Sequence, residues 1–174
     1  MAMDKIDLEI LRTLQENGRI TNSDLAKRVG LSAPSVLERV RKLEESGVIT
    51  GYTARIDPDQ VGRGQMCYVA ISLSLHQIGS INEFQRRIET IPEVIECFHI
   101  TGEEDFLVRV MVRDMQHYED LLLNQLTKIP GTSKIKTMVV LSTIKKAARI
   151  HLDDEELASA AGSRSRRGPR RNRN

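Results

Sequence analysis

A chain of 174 residues has room for two small domains. With 40% hydrophobic and 29% charged residues, its composition is that of an ordinary globular protein rather than a disordered one. No apolar run approaches the roughly 20 residues that a membrane-spanning helix needs, and the N-terminus lacks the apolar core of a secretion signal. These features argue against a membrane-spanning or exported protein and predict a cytoplasmic location.

The formal net charge of +2 is unevenly distributed along the chain. The last 13 residues, 162–174, contain six arginines and no acidic residue, so the rest of the chain has a net charge of −4. An arginine-rich tail of this kind either adds sequence-independent affinity for nucleic-acid phosphates or acts as a disordered, solubilising end. The sequence leaves both interpretations open.

Three helices are predicted within residues 4–48. The first has apolar residues at helical spacing and is expected to end at Gly18. The second, 22–29, follows Thr21, whose side chain can cap it, and Gly30 supplies a left-handed stop. A short helix followed by a tight turn containing glycine is typical of the first half of a helix-turn-helix.

The third helix is predicted to begin after Ser32, with Pro34 in its first turn, where a missing N–H costs nothing. One face of this helix is apolar and the opposite face is polar. The pattern fits a recognition helix that enters the major groove, and it fits equally a three-helix bundle with a solvated face. The apolar face consists of Val36, Val40 and Leu43, and the polar face of Ser35, Glu38 and Lys42, with Arg39 and Arg41 beside it.

Residues 66–145 alternate between strand and helix signals in the order βαββαβ. Before them, 52–56 has a strand pattern that Asp57-Pro58 and Gly62 break. The order predicts an α+β fold, a ferredoxin-like antiparallel sheet with both helices on one face. The strands are expected at 66–75, 94–101, 106–113 and 133–144, with one helix opened by a capping box at Ser80–Glu83 and another capped by Asp114.

The two predicted helices each have an inward apolar face, and the two cysteines lie in strand-like runs. For a cytosolic protein, both cysteines are expected to be buried, reduced thiols. The inward residues are expected to be Ile81, Phe84, Ile88 and Ile91 in the first helix and Tyr118, Leu122 and Leu126 in the second; the cysteines are Cys67 and Cys97.

Both faces of the predicted sheet are apolar. One face can pack on the helices, and the other is too apolar to be left in water, which predicts self-association, most simply as a two-fold homodimer. The helix-side residues are Val69, Ile71, Leu73, Val108, Val110 and Val112, and the opposite set is Tyr68, Ala70, Leu107, Met111, Met138 and Val140, interrupted by Ser72 and Arg109.

The N-terminal segment resembles the helix-turn-helix and linker of the Lrp/AsnC (feast/famine) family of bacterial and archaeal regulators. The second half is similar to the second domain of that family, so the resemblance covers about residues 4–150. The matching elements include Asp7-x-x-Ile10-Leu11, Gly18-Arg19, Leu25-Ala26, Gly30-Leu31-Ser32, Arg39-Val40-x-x-Leu43-Glu44, Gly47-Val48-Ile49, Gly51-Tyr52 and Asp57-Pro58.

The resemblance implies a sequence-specific, DNA-binding transcriptional regulator, not an enzyme, that acts on a pseudo-palindromic operator as a dimer or a larger ring such as an octamer. It implies a DNA-binding domain at 1–50, a β-strand linker at 51–65, an effector-binding and oligomerisation domain at 66–150, and an extension at 151–174.

The resemblance also implies which residues contact DNA. Glu38 either accepts a hydrogen bond from a cytosine amine or, as we favour, pairs with Lys42. The implied DNA-contacting residues are Ser32, Ala33, Pro34, Ser35, Glu38, Arg39, Arg41, Lys42 and Arg55.

The segment 101–105 resembles the Gly-x-x-Asp loop of the family, which binds an effector, usually an amino acid. Many family members have an aromatic residue where this chain has Glu104, and the extra carboxylate predicts a cationic effector such as lysine or arginine. An acidic, solvated turn without a ligand is the alternative. The implied effector-binding residues are Thr101, Gly102, Glu103, Glu104 and Asp105, with Ser142 and Thr143 as weaker candidates; no metal or other cofactor is predicted.

The sequence disfavours three other functions. An enzyme is disfavoured because the histidines at 76, 99, 117 and 151 are scattered, and the sequence has neither a metal-ligand spacing nor a phosphate-binding glycine loop. An RNA-recognition motif needs aromatic residues on its central strands, and only 3% of this chain is aromatic. A metabolite sensor without DNA binding is disfavoured by the helix-turn-helix.

Overall fold

The computed structural model describes residues 3–74, 79–146 and 149–153, and the chain divides into two compact units. The first unit contains the residues up to Ala54 together with the described residues from Lys146 onward. The second runs from Arg55 to Lys145. No helix in the described part of the chain is both long and apolar enough to cross a membrane.

The first unit contains three helices, α1 (Lys5–Glu16), α2 (Asn22–Val29) and α3 (Ala33–Glu45). Thr21 and Ser32 cap α2 and α3 as predicted, since each side chain accepts a hydrogen bond from the backbone N–H three residues on. Gly30 ends α2 with a left-handed φ of 70°, also as predicted. The buried core includes the predicted stripe of α3, and its members are Ile10, Leu11, Leu25, Ala26, Val36, Val40 and Leu43.

The first helix ends earlier than predicted. Its last residue is Glu16, and Asn17 leaves the helical conformation with a φ of −141°. The prediction that Gly18 is the stop was therefore wrong. A Cβ on Gly18 would lie 3.6 Å from Cδ1 of Tyr52, an ordinary van der Waals contact, so the space beside the ring does not require glycine there.

The linker contains no strand where one was predicted. Residues 51–57 have no regular secondary structure, and Ile56 is exposed. An alternating pattern makes a strand only where it pairs with a neighbouring strand, and this segment pairs with none of the described strands. The predicted turn after it is present, because the carbonyl of Pro58 accepts hydrogen bonds from the N–H groups of Val61 and Arg63.

The second unit is a four-stranded antiparallel sheet with strand order β2-β3-β1-β4, which confirms the ferredoxin-like prediction. Its elements in chain order are β1 (Gln65–Leu73), α4 (Gly79–Glu89), β2 (Val94–His99), β3 (Phe106–Val112), α5 (Met115–Asn124), a short 3₁₀ helix (Leu126–Lys128) and β4 (Thr132–Val139).

The core of this unit lies between the helices and the predicted face of the sheet. Asp114 caps α5 as predicted. The fully buried members of the core include Val69, Ile71, Phe84, Phe106, Val108, Val110, Val112, Leu121 and Leu126, and Leu73 and Leu122 pack against it.

Several local predictions in this unit were wrong. Helix α4 begins at Gly79, so Ser80 is inside the helix rather than at its N-cap, and Ile81 is exposed. Cys67 is buried, but Cys97 is exposed because β2 is an edge strand with a neighbour on one side only. Strand β4 ends at Val139, five residues before the predicted end.

Candidate nucleic-acid interface and ligand loop

The N-terminal end of α3 presents small polar side chains at the surface. The Oγ atoms of Ser32 and Ser35 lie 2.8 Å apart, and the backbone N–H of Ser35 donates to Oγ of Ser32. Both serines and Pro34 are exposed, and Ala33 is half-buried. Short side chains at the start of a helix let its backbone approach a surface such as a DNA groove closely.

The exposed charges of α3 are paired along the helix. Nζ of Lys42 lies 2.7 Å from Oε1 of Glu38, and Nε of Arg41 donates to Oε1 of Glu45 at 2.8 Å. The hydrogen bond from Lys42 lowers the pKa of the Glu38 carboxyl. The favoured pairing of Glu38 with Lys42 is therefore confirmed. In this structure the carboxylate of Glu38 is the acceptor for Lys42.

Arg39 has a structural position that the sequence did not indicate. Its Nη1 lies 2.7 Å from Oδ1 of Asp7 and 2.8 Å from Oδ2 of Asp4, and the Asp7 side chain is buried. These two carboxylates raise the pKa of the guanidinium. The side chain therefore joins α3 to the start of α1. The role of Arg39 near the bases stays a prediction.

Leu37 is an exposed apolar residue on α3 that sequence analysis missed. Its side chain is 53% exposed although its neighbours Val36 and Val40 are buried. An apolar residue outside the buried stripe of a recognition helix is a usable sequence signal, because the methyl group of thymine is an apolar partner in the major groove. The remaining predicted contact, Arg55, is exposed but belongs to the second unit, so the structure does not group it with the α3 residues.

The loop between β2 and β3 is held in place by Asp105. Oδ2 of Asp105 accepts a hydrogen bond from the N–H of Leu73 at 2.7 Å, and the backbone of Asp105 bonds to Ile71 and Ile100. Gly102 has a φ of 136°, in the region that favours glycine. No atom lies within 4 Å of a Cβ built on Gly102, so conformation rather than close packing requires glycine there.

Glu104 provides an unsatisfied acceptor in the same loop. Its Oε1 is buried and has no hydrogen-bond partner among the described residues, while Nζ of Lys136 lies 4.0 Å away, beyond hydrogen-bond distance. A buried carboxylate oxygen without a donor costs free energy. Oε1 of Glu104 is therefore suited to accept a hydrogen bond from a donor group of a bound ligand. Thr101 and Glu103 are exposed beside it.

Ser142 and Thr143 do not belong to this loop within one chain. The loop bonds to one end of β1, at Ile71 and Leu73. The chain leaves β4 near the other end of β1, where the N–H of Val140 donates to the carbonyl of Met66. A strand advances about 3.3 Å per residue, so the two places are roughly 20 Å apart. The prediction that both residues lie in the last strand was wrong, because β4 ends at Val139. Their place in the ligand site of an assembled protein stays a prediction.

The sheet face opposite the helices is apolar and partly open. Met138 is 39% exposed and Phe98 47% exposed, while Tyr68, Leu107 and Met111 are half-buried. Arg109, the predicted exception on this face, lies 3.0 Å from Glu96 through its Nε. The charge is thus matched within the sheet, and the face around it remains available for an apolar partner.

The histidines and cysteines of the described residues form no catalytic or metal-binding group. His99 stacks on Phe106 with ring centroids 4.9 Å apart, and His117 bonds Glu93 through Nε2 at 3.1 Å. In the described ranges, no three His, Cys, Asp or Glu side chains are placed to hold a metal ion. Both of these histidines have packing or hydrogen-bonding roles.

Comparison with known proteins identifies both units. A profile described as a winged helix-turn-helix DNA-binding domain matches residues 3–50, and one described as the Lrp/AsnC ligand binding domain matches residues 66–150. The Bkd operon transcriptional regulator of Pseudomonas aeruginosa is 41% identical over 82% of this chain and 93% of its own length. The leucine-responsive regulatory protein of Escherichia coli is 38% identical over 85% of this chain and 90% of its own length.

Solved structures agree with the sequence relatives. A transcriptional regulator from Neisseria meningitidis, crystallised as a complex with L-Met, has a TM-score of 0.84 at 33% identity, over 87% of this chain and 97% of that one. The leucine response regulatory protein of Mycobacterium tuberculosis has a TM-score of 0.73 at 37% identity, over 87% of this chain and all of that one. The chain belongs to the Lrp/AsnC family and is a DNA-binding transcriptional regulator with a ligand-binding domain, not an enzyme.

Proposed function

We propose that the chain binds a pseudo-palindromic operator in the cytoplasm as a homodimer, through the N-terminal end and outward face of α3. The observation that carries this proposal is the surface of α3, where small polar residues at the helix start are followed by an exposed leucine and two cations. The contacts to base edges are assigned to Ser35 and Leu37, with Arg41 and Lys42 directed to phosphates. Ser32, Ala33 and Pro34 allow the backbone to approach.

The open sheet face supports the homodimer. Apolar residues such as Met138 and Phe98 are exposed on a face that no other described part of the chain covers. A second copy of the same face would remove them from water, and the resulting two-fold axis would present two α3 helices to two half-sites. Rings of dimers, such as octamers, are an extension of the same proposal.

The loop 101–105 is the proposed effector site, and the effector is an amino acid. The solved relative with bound L-Met supports an amino acid as the ligand class. The buried Oε1 of Glu104, which accepts no hydrogen bond among the described residues and has only the more distant charge of Lys136 beside it, supports a cationic side chain, lysine or arginine, because such a ligand supplies the missing donor. The backbone around Gly102 and the exposed Thr101 and Glu103 would contact the rest of the ligand, while Asp105 has one oxygen left for its ammonium group.

The proposed DNA surface is tested by replacing Leu37. A gel-shift titration uses the duplex upstream of the chain's own gene and a scrambled duplex of the same composition. We expect Leu37→Ala to weaken binding to the operator about tenfold, equivalent to about 1.4 kcal/mol, and to leave binding to the scrambled duplex unchanged. Leu123→Ala is the matched control, because Leu123 is 54% exposed on α5 of the other unit. Equal effects of the two variants would refute the assignment.

Dimer formation and effector binding are tested by separate experiments. A footprint that protects two half-sites about one helical turn apart supports the dimer, and protection of one isolated half-site by a monomer contradicts it. Calorimetric titration with an amino-acid panel is expected to show binding of lysine or arginine that Glu104→Gln abolishes. Binding of neutral aliphatic amino acids alone would reject the cationic effector.

A further inference from the structure

The C-terminal segment of the described chain is attached to the first helix. Gln15 binds the backbone of Ile150 twice, donating through Nε2 to its carbonyl at 3.1 Å and accepting from its N–H through Oε1 at 2.7 Å. Arg12 donates from Nη2 to the carbonyl of Leu152 at 2.7 Å. We call this attachment of residues 149–153 to α1 the clasp.

Two further contacts fix the same segment. Nη1 of Arg149 lies 3.5 Å from Oε1 of Glu16, and the side chain of Leu152 packs against the hydrophobic core of the three helices. An amide side chain that bonds both the N–H and the C=O of one residue holds the backbone of that residue in a defined position. The clasp therefore holds residues 149–153 on the three helices of the DNA-binding unit.

The three-helix part of the DNA-binding unit, residues 1–54, has no excess positive charge of its own. Residues 1–54 contain eight lysines and arginines and eight aspartates and glutamates, so the net charge is zero. At least six of the eight cations are in ion pairs within the unit; these are Arg12, Lys27, Arg28, Arg39, Arg41 and Lys42. Binding to the phosphate backbone requires cations that can replace condensed counterions, and a neutral unit supplies few.

The arginine-rich tail is the part of the chain that can supply this charge. It contains six arginines between 164 and 173, outside the described residues, and the acidic run 153–156 still leaves residues 146–174 with a net charge of +4. The ten residues 154–163 connect the clasp to the tail, and they span at most about 35 Å when extended. That length equals about one turn of duplex DNA.

We propose that the clasp anchors the arginine-rich tail to the DNA-binding unit, where the tail forms a second, sequence-independent contact to DNA phosphates. This inference rests on the proposed binding of α3 to an operator. Attachment at α1 keeps the arginines at a high effective concentration near any DNA that α3 contacts. The recognition helix then selects the site, and the tail supplies affinity that decreases with salt.

The test measures the affinity of the full chain for the operator and for the scrambled duplex between about 50 and 200 mM salt. The variant replaces all six tail arginines with glutamine, so the length is preserved. Each arginine–phosphate contact contributes about 0.9 to the slope of log K against log salt, so we expect a slope shallower by roughly 2 to 5. At 100 mM salt, affinity for both duplexes should decrease at least about tenfold, in the same proportion.

The clasp is tested by Gln15→Ala, with Gln116→Ala on α5 as the matched control. We expect Gln15→Ala to weaken binding about three- to tenfold in the full chain and not at all when the tail arginines are already glutamine, a coupling that a double-mutant cycle measures. Additive effects of the two changes would overturn the role of the clasp.

The outcomes for the two proposals are distinct. A full chain that binds no duplex overturns both. A chain that binds its operator specifically but has the same salt slope with and without the tail arginines overturns only the tail inference. Tighter binding after the arginines are replaced overturns it as well, because the tail would then oppose binding.

Discussion

Arg39 on α3 donates to Asp7 on α1 across 2.7 Å, and the carboxylate that receives this hydrogen bond is almost fully buried. Removing the arginine would leave a buried negative charge without its partner, which costs about 3–5 kcal/mol when both groups are fully buried. Arg39 itself is about a third exposed, so solvent compensates for part of that loss. We therefore expect Arg39→Met to lower the free energy of unfolding by about 2 kcal/mol, measured by urea denaturation.

The matched double variant separates the charge from the packing. Arg39→Met combined with Asp7→Asn removes both charges, and we expect it to recover at least half of the lost stability. If Arg39→Met changes stability by less than about 0.5 kcal/mol, the pair has no structural role.

The start of α1 gives the first unit an acid-sensitive stability. The hydrogen bond from the backbone N–H of Asp7, aided by Arg39, holds the pKa of Asp4 below its ordinary value of 3.8. Because the pKa is lower in the folded chain, the stabilisation is fully present above the unfolded value and is lost as pH falls through the folded one. We expect the free energy of unfolding to fall with acid below about pH 4, and Asp4→Asn to make this fall shallower.

The measurement is urea denaturation at a series of pH values, followed by the helix signal in circular dichroism. Glu119→Gln is the control, since it removes an exposed carboxylate from the other unit. If the free energy of unfolding falls equally steeply with acid in Asp4→Asn and in the unchanged chain, Asp4 makes no such contribution.

Asp105 is predicted to have separable structural and ligand-binding roles. Asp105→Ala leaves the N–H of Leu73 without an acceptor, and we expect a loss of about 1–2 kcal/mol in unfolding free energy. Asp105→Asn keeps a carbonyl acceptor but loses the charge. It should retain most of the stability and lose affinity for an amino-acid ligand in calorimetric titration, because its neutral amide attracts the ammonium group less.

The Asp105→Asn variant also defines the result that would contradict a ligand-binding role for this carboxylate. If Asp105→Asn is stable and binds the amino acid as tightly as the unchanged chain, the carboxylate serves the loop alone. The ligand must then be held by other atoms of the loop.

The open sheet face is predicted to hold two chains together. Met138→Glu places a charge on that face, and burying an unpaired charge costs several kcal/mol, so we expect dissociation to monomers at micromolar concentration in sedimentation experiments. Leu123→Glu introduces the same charge at a similarly exposed site on α5 and should retain the dimer. A dimer that survives Met138→Glu would mean that another surface joins the chains.

Local signals in the sequence accounted for most of the fold. The caps at Thr21, Ser32 and Asp114 and the stop at Gly30 could be predicted because each depends on residues within one turn of the helix. The same holds for the alternation that assigned Val69 and Val108 to the buried face. These are features that a few neighbouring residues determine.

The errors concern features that depend on distant residues. The strand predicted at 52–56 and the last residues of β4 needed partner strands, which a local pattern does not reveal. The pairing of Arg39 with Asp7 joins residues 32 positions apart, so the sequence did not indicate it. Leu37 was missed because a DNA-contacting face is expected to be polar, and here an apolar side chain is exposed on it.

The two edges of the sheet are protected from adding further strands. In β2, the register with β3 shifts between Val94 and Glu96, so Ile95 interrupts the regular ladder at one edge. In β4, which forms the other edge, Lys134 and Lys136 alternate along the strand. An irregular ladder and repeated lysines both discourage an incoming chain from extending a sheet, as in a growing fibril. A strongly apolar sheet with two open edges can therefore pair face to face without open-ended polymerisation through its edges.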